Sequence, residues 1–360
     1  MNGPLFWQTG CEAEGCWTNR EKAEVLGSWR KIWAKSSIKK QTAMTLNRRT
    51  FLLAGAALAA ASATAQEPRS IPIIDTHIHL FDPRRPQGAP YTGPEGHSPQ
   101  VALPDRYRAL AAPLGIVGAI EIEASPWIED NLWVLEVAQP ATIMVATVGN
   151  LRPEHPDFPE YLERFHKNPL YRGIRCGNLW NYDFVGQVEN EKFIDGLKLL
   201  ARAGLVLDTA NPTIDLLQAI VRVSDRVPDL RIVLDHLPSL EPTPETRNAY
   251  EAVLSELQKR PNIVAKLSAV IHRVNGTIAT DLNTHRARLD HLTEIFGEDR
   301  VLFGSDWPNS DGSARLDQVV SIVKEYFASK PQLVAEKYFW RNSARVYKWI
   351  RRQPDQPTLA

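Results

Sequence analysis

The chain has 360 residues, 43% of them hydrophobic, with 42 basic and 42 acidic side chains, 26 prolines, 20 glycines and 3 cysteines. This composition is that of an ordinary globular protein, and it excludes a collagen, a coiled coil and a disulfide-rich miniprotein. The basic excess is confined to residues 1–65, so the remainder carries five more acidic than basic side chains. Nucleic-acid binding requires a basic surface, so no nucleic-acid partner is expected.

The first predicted element is an export signal over residues 44–65. Arg48 and Arg49 precede an apolar run over residues 51–61, and small residues in an A-x-A arrangement end at Ala65. The segment resembles a bacterial twin-arginine signal that is cut after Ala65, which predicts a periplasmic protein. The apolar run is too short and too rich in alanine to cross a hydrocarbon core about 30 Å thick, so no stable membrane anchor is expected.

The signal divides the chain into three predicted parts. Residues 1–43 precede Met44, where such a signal should begin, and are expected to be a non-native or unstructured extension. Residues 66–360 are expected to form one domain. This domain retains Cys176 as its single cysteine, so no disulfide can form within it.

Within residues 66–360, short β-branched runs alternate with longer amphipathic runs. The predicted strands cover residues 71–79, 116–123, 142–149, 171–176, 204–209, 231–236, 262–268 and 301–305. The predicted helices cover residues 128–138, 157–167, 190–203, 212–227, 243–260, 279–296, 313–328 and 332–349. Eight such units in about 250 residues match a (β/α)8 TIM barrel, whose active site lies at the C-terminal ends of the strands. An open doubly wound sheet is the alternative, but no G-x-G-x-x-G fingerprint follows any predicted strand.

Two histidines stand at the end of the first predicted strand. Strict alternation places Asp75, His77 and His79 on one face of this strand, which we expect to point into the barrel. Buried imidazoles are costly unless they bind something. Both histidines can therefore reach one metal ion, or one can bind metal while the other positions substrate; hydrogen-bonded structural histidines are the alternative.

Two later strands end abruptly in polar pairs. His236 follows the apolar run at residues 231–234, and Asp306 follows the run at residues 301–304. Their parity with Leu234 and Gly304 predicts that both point towards the barrel axis. Asp306 suits a general base or a metal ligand, because a carboxylate beside an activated water can take its proton. A helix cap is the alternative role for this residue.

Five motifs carry a family resemblance. They are His-Ile-His at residues 77–79, Gly-Ile-Arg at 173–175, Leu-Asp-His at 234–236, Lys-Leu-Ser at 266–268 and Phe-Gly-Ser-Asp-Trp-Pro at 303–308. In this order, they resemble the amidohydrolase-related TIM-barrel family, on the branch of the sugar-acid lactonases and pyrone dicarboxylate lactonase. The similarity runs from about Ile71 to Tyr347.

The resemblance implies a role for each matching residue. His77 and His79 correspond to the metal or substrate ligands of the first strand. His236 corresponds to the histidine of the sixth strand, and Asp306 corresponds to the residue that activates water. The chain departs from the pattern at two positions, since it has Asp208 where many metal-dependent relatives have a histidine, and Arg175 where they often have a bridging lysine or glutamate. These departures indicate one divalent ion, or none, instead of a binuclear centre.

Arg175 and Glu123 are further site candidates. A guanidinium matches a carboxylate in a bidentate manner, so Arg175 is predicted to hold an anionic substrate or to polarise a lactone carbonyl. The alternative is an ion pair with Glu121 or Glu123, two residues that alternation places together and that we expect to face inward. Glu123 lies nearer the strand end and is therefore the candidate of the two.

Residues just beyond the strand ends are expected to set specificity. The loop at residues 81–91 is rich in proline and glycine, which predicts a lid over the site. The predicted substrate-binding residues in such positions are Arg84, Arg85, Tyr91, Trp180, His272 and Arg273. Together with Arg175, they predict an anionic or polyhydroxylated small-molecule substrate.

These expectations combine into one hypothesis and two rivals. His77, His79 and Asp306 hold one divalent ion, zinc, while a water opens a lactone, Asp306 takes the proton, and His236 or Arg175 stabilises the oxyanion. The first rival is a metal-dependent non-oxidative decarboxylase of an aromatic or related acid. The second is a solute-binding protein that has lost the chemistry, in which the site residues would be scattered. No feature of the sequence specifies an oligomeric state.

Overall fold

The computed structural model describes residues 70–93, 100–274 and 276–359. All of them belong to one compact unit, Gln66–Ala360. The predicted extension at residues 1–43 and the predicted signal at residues 44–65 lie outside the described residues. Within the described part of the chain, no helix is both long and apolar enough to span a membrane.

Eight parallel strands form the central sheet, and each neighbours the next in chain order. They are β1 (Ile73–Ile78), β2 (Ile116–Ile122), β3 (Met144–Gly149), β4 (Tyr171–Arg175), β5 (Val206–Thr209), β6 (Arg231–Leu234), β7 (Ile263–Lys266) and β10 (Val301–Leu302). A two-residue hairpin, β8 (Arg273–Val274) and β9 (Thr277–Ile278), interrupts the series. Each predicted strand is found, although most are shorter than predicted.

The first and last strands meet and nearly close the barrel. The amide of Thr76 donates to the carbonyl of Phe303, and the amide of His79 donates to the carbonyl of Trp307. Between them, the amide of Asp306 donates to the carbonyl of His77 at 2.8 Å. The predicted (β/α)8 barrel is thus confirmed, and the open-sheet alternative is excluded.

Helices follow the strands. They are α1 (Pro104–Ala111), α2 (Asp130–Ala138), α3 (Phe158–His166), α4 (Phe184–Gln187), α5 (Glu191–Arg202), α6 (Ile214–Arg226), α7 (Arg247–Gln258), α8 (Leu282–Phe296), α9 (Leu316–Ala328), α10 (Gln332–Glu336) and α11 (Asn342–Tyr347). The predicted helix 332–349 consists of α10, a π-helical turn at Lys337–Arg341, and α11. The short helices α1 and α4 were not predicted, because each has too few turns to show a clear period.

The barrel interior has two layers of side chains. The lower one, which we call the apolar layer, consists of Ile74, Ile120, Val206, Val233, Val264 and Leu302. Trp340, Tyr347 and Trp349 from the C-terminal segment pack against this layer. Two residues further along β5, β6 and β7 are Asp208, Asp235 and Lys266, which together with Arg175 of β4 and His77 of β1 we call the polar layer. All five side chains of the polar layer are buried, which places ionisable groups directly below the catalytic mouth of the barrel.

Candidate active site

Three histidines converge on one carboxylate oxygen at the C-terminal mouth of the barrel. The Nε2 atoms of His77, His79 and His236 lie 3.6, 3.2 and 3.6 Å from Oδ1 of Asp306. The four residues come from the ends of the first, sixth and last strands, so the fold alone brings them together. This convergence agrees with an enzyme and disfavours the solute-binding alternative.

His236 reaches the site for a different reason from the one predicted. Val233 belongs to the apolar layer, so its neighbour Leu234 faces outward, and residues that share the parity of Leu234 would face away from the axis. His236 has a φ of 56°, in the left-handed region, and this local turn redirects its side chain inward. Its Nδ1 then meets Oγ of Ser268 at 2.9 Å. Asp306 also has a left-handed backbone, with a φ of 63°.

Asp75 does not share the face of His77, which corrects the sequence prediction. Asp75 pairs with Ala119 and Ile78 pairs with Glu121, so β1 has one more residue than β2 between these two pairs. This extra residue is a β-bulge, and it breaks the alternation of the side chains. Asp75 instead points outward, where its carboxylate accepts hydrogen bonds from the Tyr107 hydroxyl at 2.7 Å and the Ser305 amide at 2.8 Å. It therefore anchors the last strand to the first and takes no part in the site.

A glycine makes room for His77 beside the last strand. A Cβ placed at Gly304 would lie 2.8 Å from the Cβ of His77 and 3.3 Å from that of Ser268. Any larger residue would push the imidazole away from Asp306. The glycine of the Gly-Ser-Asp-Trp-Pro motif is therefore required by close packing against the site.

The environment fixes the charges in the cluster. Burial alone would raise the pKa of Asp306, but the nearby histidines, His236 first, outweigh burial and hold this pKa below its ordinary value. Burial lowers the pKa of His77 well below its usual 6.5, with His236 and Lys266 adding to the effect. Burial also lowers the pKa of His236. At neutral pH, the site thus presents an ionised carboxylate and neutral imidazoles at His77 and His236.

These residues form a possible metal site. One ligand atom from each of His77, His236 and Asp306 lies within 4.8 Å of the other two. Nε2 of His77 is buried and has no hydrogen-bond partner among the described residues, so a ligand there would satisfy it. His79 was predicted as a metal ligand, but it lies outside this mutual set. Its Nδ1 faces the carbonyl of Ile122 at 2.8 Å, and its Nε2 faces Asp306.

Arg175 is engaged with Glu123. Its Nε donates to Oε1 of Glu123 at 3.0 Å, and its Nη2 donates to the carbonyl of the same residue at 2.5 Å. Its Nη1 lies 3.7 Å from Asp235. Nε1 of Trp180 donates to the other carboxylate oxygen of Glu123 at 3.3 Å. The ion-pair alternative for Arg175 is therefore present, and it joins three of the predicted site residues into one wall.

Glu121 does not face inward as predicted. On β2, Ile120 and Ile122 belong to the interior, so Glu121 points outward into a cavity beneath α2 that Asn131 and Tyr171 also line. Oε1 of Glu121 is buried and has no hydrogen-bond partner among the described residues. Burial raises the pKa of this carboxyl well above its ordinary value, and Glu123 adds to the rise.

Tyr91 lies over the site as part of the predicted lid loop. Its ring stands edge-on to that of His79, with 6.2 Å between centroids. Its hydroxyl donates to Oδ1 of Asn309, and Nδ2 of Asn309 donates to Oδ1 of Asp306 at 3.2 Å. Asn309 was not predicted as a site residue. Its position three residues after Asp306, in the turn that follows the motif, could have indicated it.

The other predicted rim residues make contacts away from Asp306. His272 pairs with Glu241 at 3.1 Å, and Arg273 donates to the carbonyl of Gly276 within the β8–β9 hairpin. Arg84 pairs with Asp82 on the loop, while Arg85 pairs with Asp130 of α2. No contact of the described residues joins these four to the histidine cluster.

Below the histidines lies a buried charge network that was not predicted. Lys266, fully buried, donates through Nζ to Asp208 Oδ2 at 2.6 Å and lies 2.9 Å from Asp235 Oδ1. The Tyr347 hydroxyl also donates to Asp208. Asp208 stands where a histidine was expected in metal-dependent relatives, and here it pairs with an ammonium group.

Comparisons with known proteins agree with this geometry. The curated protein named L-fucono-1,5-lactonase from Burkholderia ambifaria is 28% identical over 66% of this chain and 80% of its own length. The protein of the same name from Burkholderia multivorans is 26% identical over 75% of this chain and 94% of its own. A crystal structure of an amidohydrolase from B. multivorans with bound zinc has a TM-score of 0.69 and 26% identity, and covers 78% of this chain and 100% of that one.

The family assignment rests on most of the chain. Residues 74–349 match the family described as amidohydrolase, a span that includes every strand of the barrel except the first residue of β1. The match contains His77, His236 and Asp306, which the fold brings together. The chain therefore belongs to the amidohydrolase family.

Proposed function

We propose that the protein is a hydrolase that opens the ring of a lactone. The observation that carries the proposal is the convergence of three imidazole nitrogens on Oδ1 of Asp306 at the mouth of the barrel. The similarity to proteins named L-fucono-1,5-lactonase supports the reaction class. It favours lactone hydrolysis over the decarboxylase alternative.

Asp306 acts as the general base. Its carboxylate is ionised at neutral pH and accepts a proton from a water that attacks the lactone carbonyl carbon. The ring C–O bond then breaks, and the proton passes to the departing alkoxide oxygen, so the product is a hydroxy acid. Asn309, whose Nδ2 donates to Oδ1 of Asp306, holds the carboxylate in place during this exchange.

One divalent ion, zinc, is proposed as the cofactor. His77, His236 and Asp306 would hold it, because they supply two nitrogens and one oxygen within reach of one centre. When bound, such an ion polarises a carbonyl and lowers the pKa of water. The relative with bound zinc supports the identity of the metal. His79 lies outside this set of three. Its Nδ1 faces the carbonyl of Ile122, which favours the proton on that nitrogen and leaves Nε2 unprotonated, so His79 as a further metal ligand stays a prediction.

The substrate is proposed to be an uncharged, polyhydroxylated lactone of the sugar-acid type. The arginines expected to hold an anion are paired already: Arg84 with Asp82, Arg85 with Asp130, and Arg175 with Glu123. The similarity to proteins named L-fucono-1,5-lactonase supports a sugar-acid lactone. A carboxylated lactone would need a free cation, and these three arginines are already paired.

A substrate panel tests the proposal. Purified protein is assayed by pH-stat against aldonolactones, including L-fucono-1,5-lactone, against a carboxylated pyrone, and against aromatic acids with detection of released CO2. We expect acid release from an aldonolactone, and none from Asp306→Asn. Release of CO2 without lactone opening would replace the proposal with the decarboxylase.

Export is proposed separately, on the twin-arginine pattern at Arg48 and Arg49. Expression in a bacterial host, followed by fractionation, should place the processed protein in the periplasm. Replacing both arginines by lysine should retain the unprocessed protein inside the cell. Equal distribution of both forms would contradict the proposal.

A further inference from the structure

An internal cation stands directly behind one of the candidate metal ligands. Nζ of Lys266 lies 3.4 Å from Nδ1 of His77, in addition to its contacts with Asp208 at 2.6 Å and Asp235 at 2.9 Å. An ammonium group has three N–H donors and no acceptor. Lys266 thus faces three acceptors, one of which is the ring nitrogen of His77.

Nδ1 of His77 has two possible partners with opposite requirements. Asp235 Oδ1, at 3.5 Å, can only accept a proton from it, whereas Lys266 can only donate one. If Nδ1 carries the proton and faces Asp235, Nε2 has a free lone pair for a metal ion. If Lys266 donates to Nδ1, Nε2 of the neutral ring carries the proton and points at Asp306, 3.6 Å away. Metal binding requires the first arrangement, because ligating nitrogens must be unprotonated.

Charge acts in the same direction as the hydrogen bond. Lys266 has no exposed surface, so water screens its charge little from an ion bound at His77. The two carboxylates that neutralise it, Asp208 and Asp235, lie on its own level of the barrel. Arg175 adds a second cation, 3.7 Å from Asp235. The two cations and two carboxylates of the polar layer therefore cancel, so this layer offers no excess negative charge to attract a metal ion.

We propose that Lys266 is a positioning residue that weakens divalent metal binding at His77, His236 and Asp306 by competing for Nδ1 of His77. This inference rests on the proposed function, because it concerns the metal site assigned there. It predicts a protein that exchanges its ion readily with chelators.

Metal affinity, measured without any lactone, tests the inference. Zinc binding to the metal-free full-length protein is followed by competition with a chromophoric chelator. The test variant, Lys266→Met with Asp208→Asn, removes one positive and one negative charge together. Asp208→Asn alone is the matched control, since it keeps Lys266. His77→Ala in each background verifies that the measured ion is bound at this site.

We expect the double variant to bind zinc about tenfold more tightly than the wild type, and Asp208→Asn to bind no more tightly than the wild type. Equal or weaker binding by a folded double variant would overturn the inference. If that variant does not fold, as judged by thermal unfolding, Lys266→Gln is measured against the same criterion. Because no substrate is involved, failure of the lactone panel leaves this comparison intact.

Discussion

The two layers inside the barrel are built on the same strands but serve different ends. The apolar layer, from Ile74 to Leu302, is closed below by aromatic side chains of the C-terminal segment. The polar layer lies two residues further along, where Val206 gives way to Asp208 and Val264 to Lys266. Packing determines the first layer, whereas charge and hydrogen bonding determine the second. A strand can therefore change from stabilising the fold to carrying chemistry within two residues.

The largest expected effect is the loss of activity when Asp306, at the polar end of the barrel, is replaced. Asp306→Asn removes the general base but keeps the shape of the side chain, so lactone hydrolysis should fall by about 10²–10⁴-fold. The midpoint of thermal unfolding should stay within a few degrees of that of the wild type. Asp105→Asn, at a side chain 89% exposed on α1, is the matched control. Activity within threefold of the wild type in Asp306→Asn would show that another group takes the proton.

The next largest expected effect is a loss of stability when a side chain of the apolar layer is shortened. Leu302 is fully buried in the apolar layer, so Leu302→Ala should lower the free energy of unfolding by about 2–5 kcal/mol. Urea denaturation measures this change. Leu333→Ala, at a side chain 52% exposed, should change stability little. We expect kcat of Leu302→Ala, measured at a temperature where both proteins are folded, to stay close to that of the wild type. A large fall in kcat would show that the apolar layer also contributes to catalysis.

Asn309→Ala tests whether the hydrogen bond from Asn309 to Asp306 contributes to activity. It removes the donor to Oδ1 of Asp306 and the acceptor of the Tyr91 hydroxyl. A hydrogen bond to a charged group contributes about 1.5–3 kcal/mol, so we expect kcat/KM to fall about tenfold or more. Asn248→Ala, at an exposed position on α7, provides the control. An unchanged kcat/KM would show that Asn309 does not contribute to catalysis.

The smallest expected effect concerns Glu121, outside the barrel interior. Its pKa is raised above the ordinary 4.5 by burial first and then by Glu123. As pH rises above about 4.5, the unfolded chain ionises while the folded protein keeps this proton, so wild-type stability falls. Glu121→Gln has no such proton, and its stability relative to the wild type should be greater at pH 8 than at pH 5. Glu325→Gln, at an exposed side chain, should show no such trend.

Much of this arrangement could be predicted from the order of apolar runs and polar strand ends. The eight strands and the pairing of His77 with Asp306 follow from the rule that parallel strands present their C-terminal ends together. The inward face of each strand did not follow reliably. Both faces of barrel strands are apolar, so Glu121 was placed on the wrong side of β2.

Two further errors have local causes. The extra residue after Asp75 breaks the alternation on β1, and the left-handed turn at His236 reverses the parity of β6. Neither feature leaves a mark in the hydrophobic pattern. The burial of Lys266 depends on Asp208 and Asp235, which come from other strands. A single lysine in an apolar run gives no indication of such partners.

Titration of the metal-free protein with zinc, while lactone hydrolysis is recorded, shows whether one ion at His77, His236 and Asp306 supports ring opening. At protein concentrations well above the Kd, activity should rise linearly and reach its plateau at one equivalent per chain. Full activity without added metal, or a plateau at two equivalents, would contradict the account.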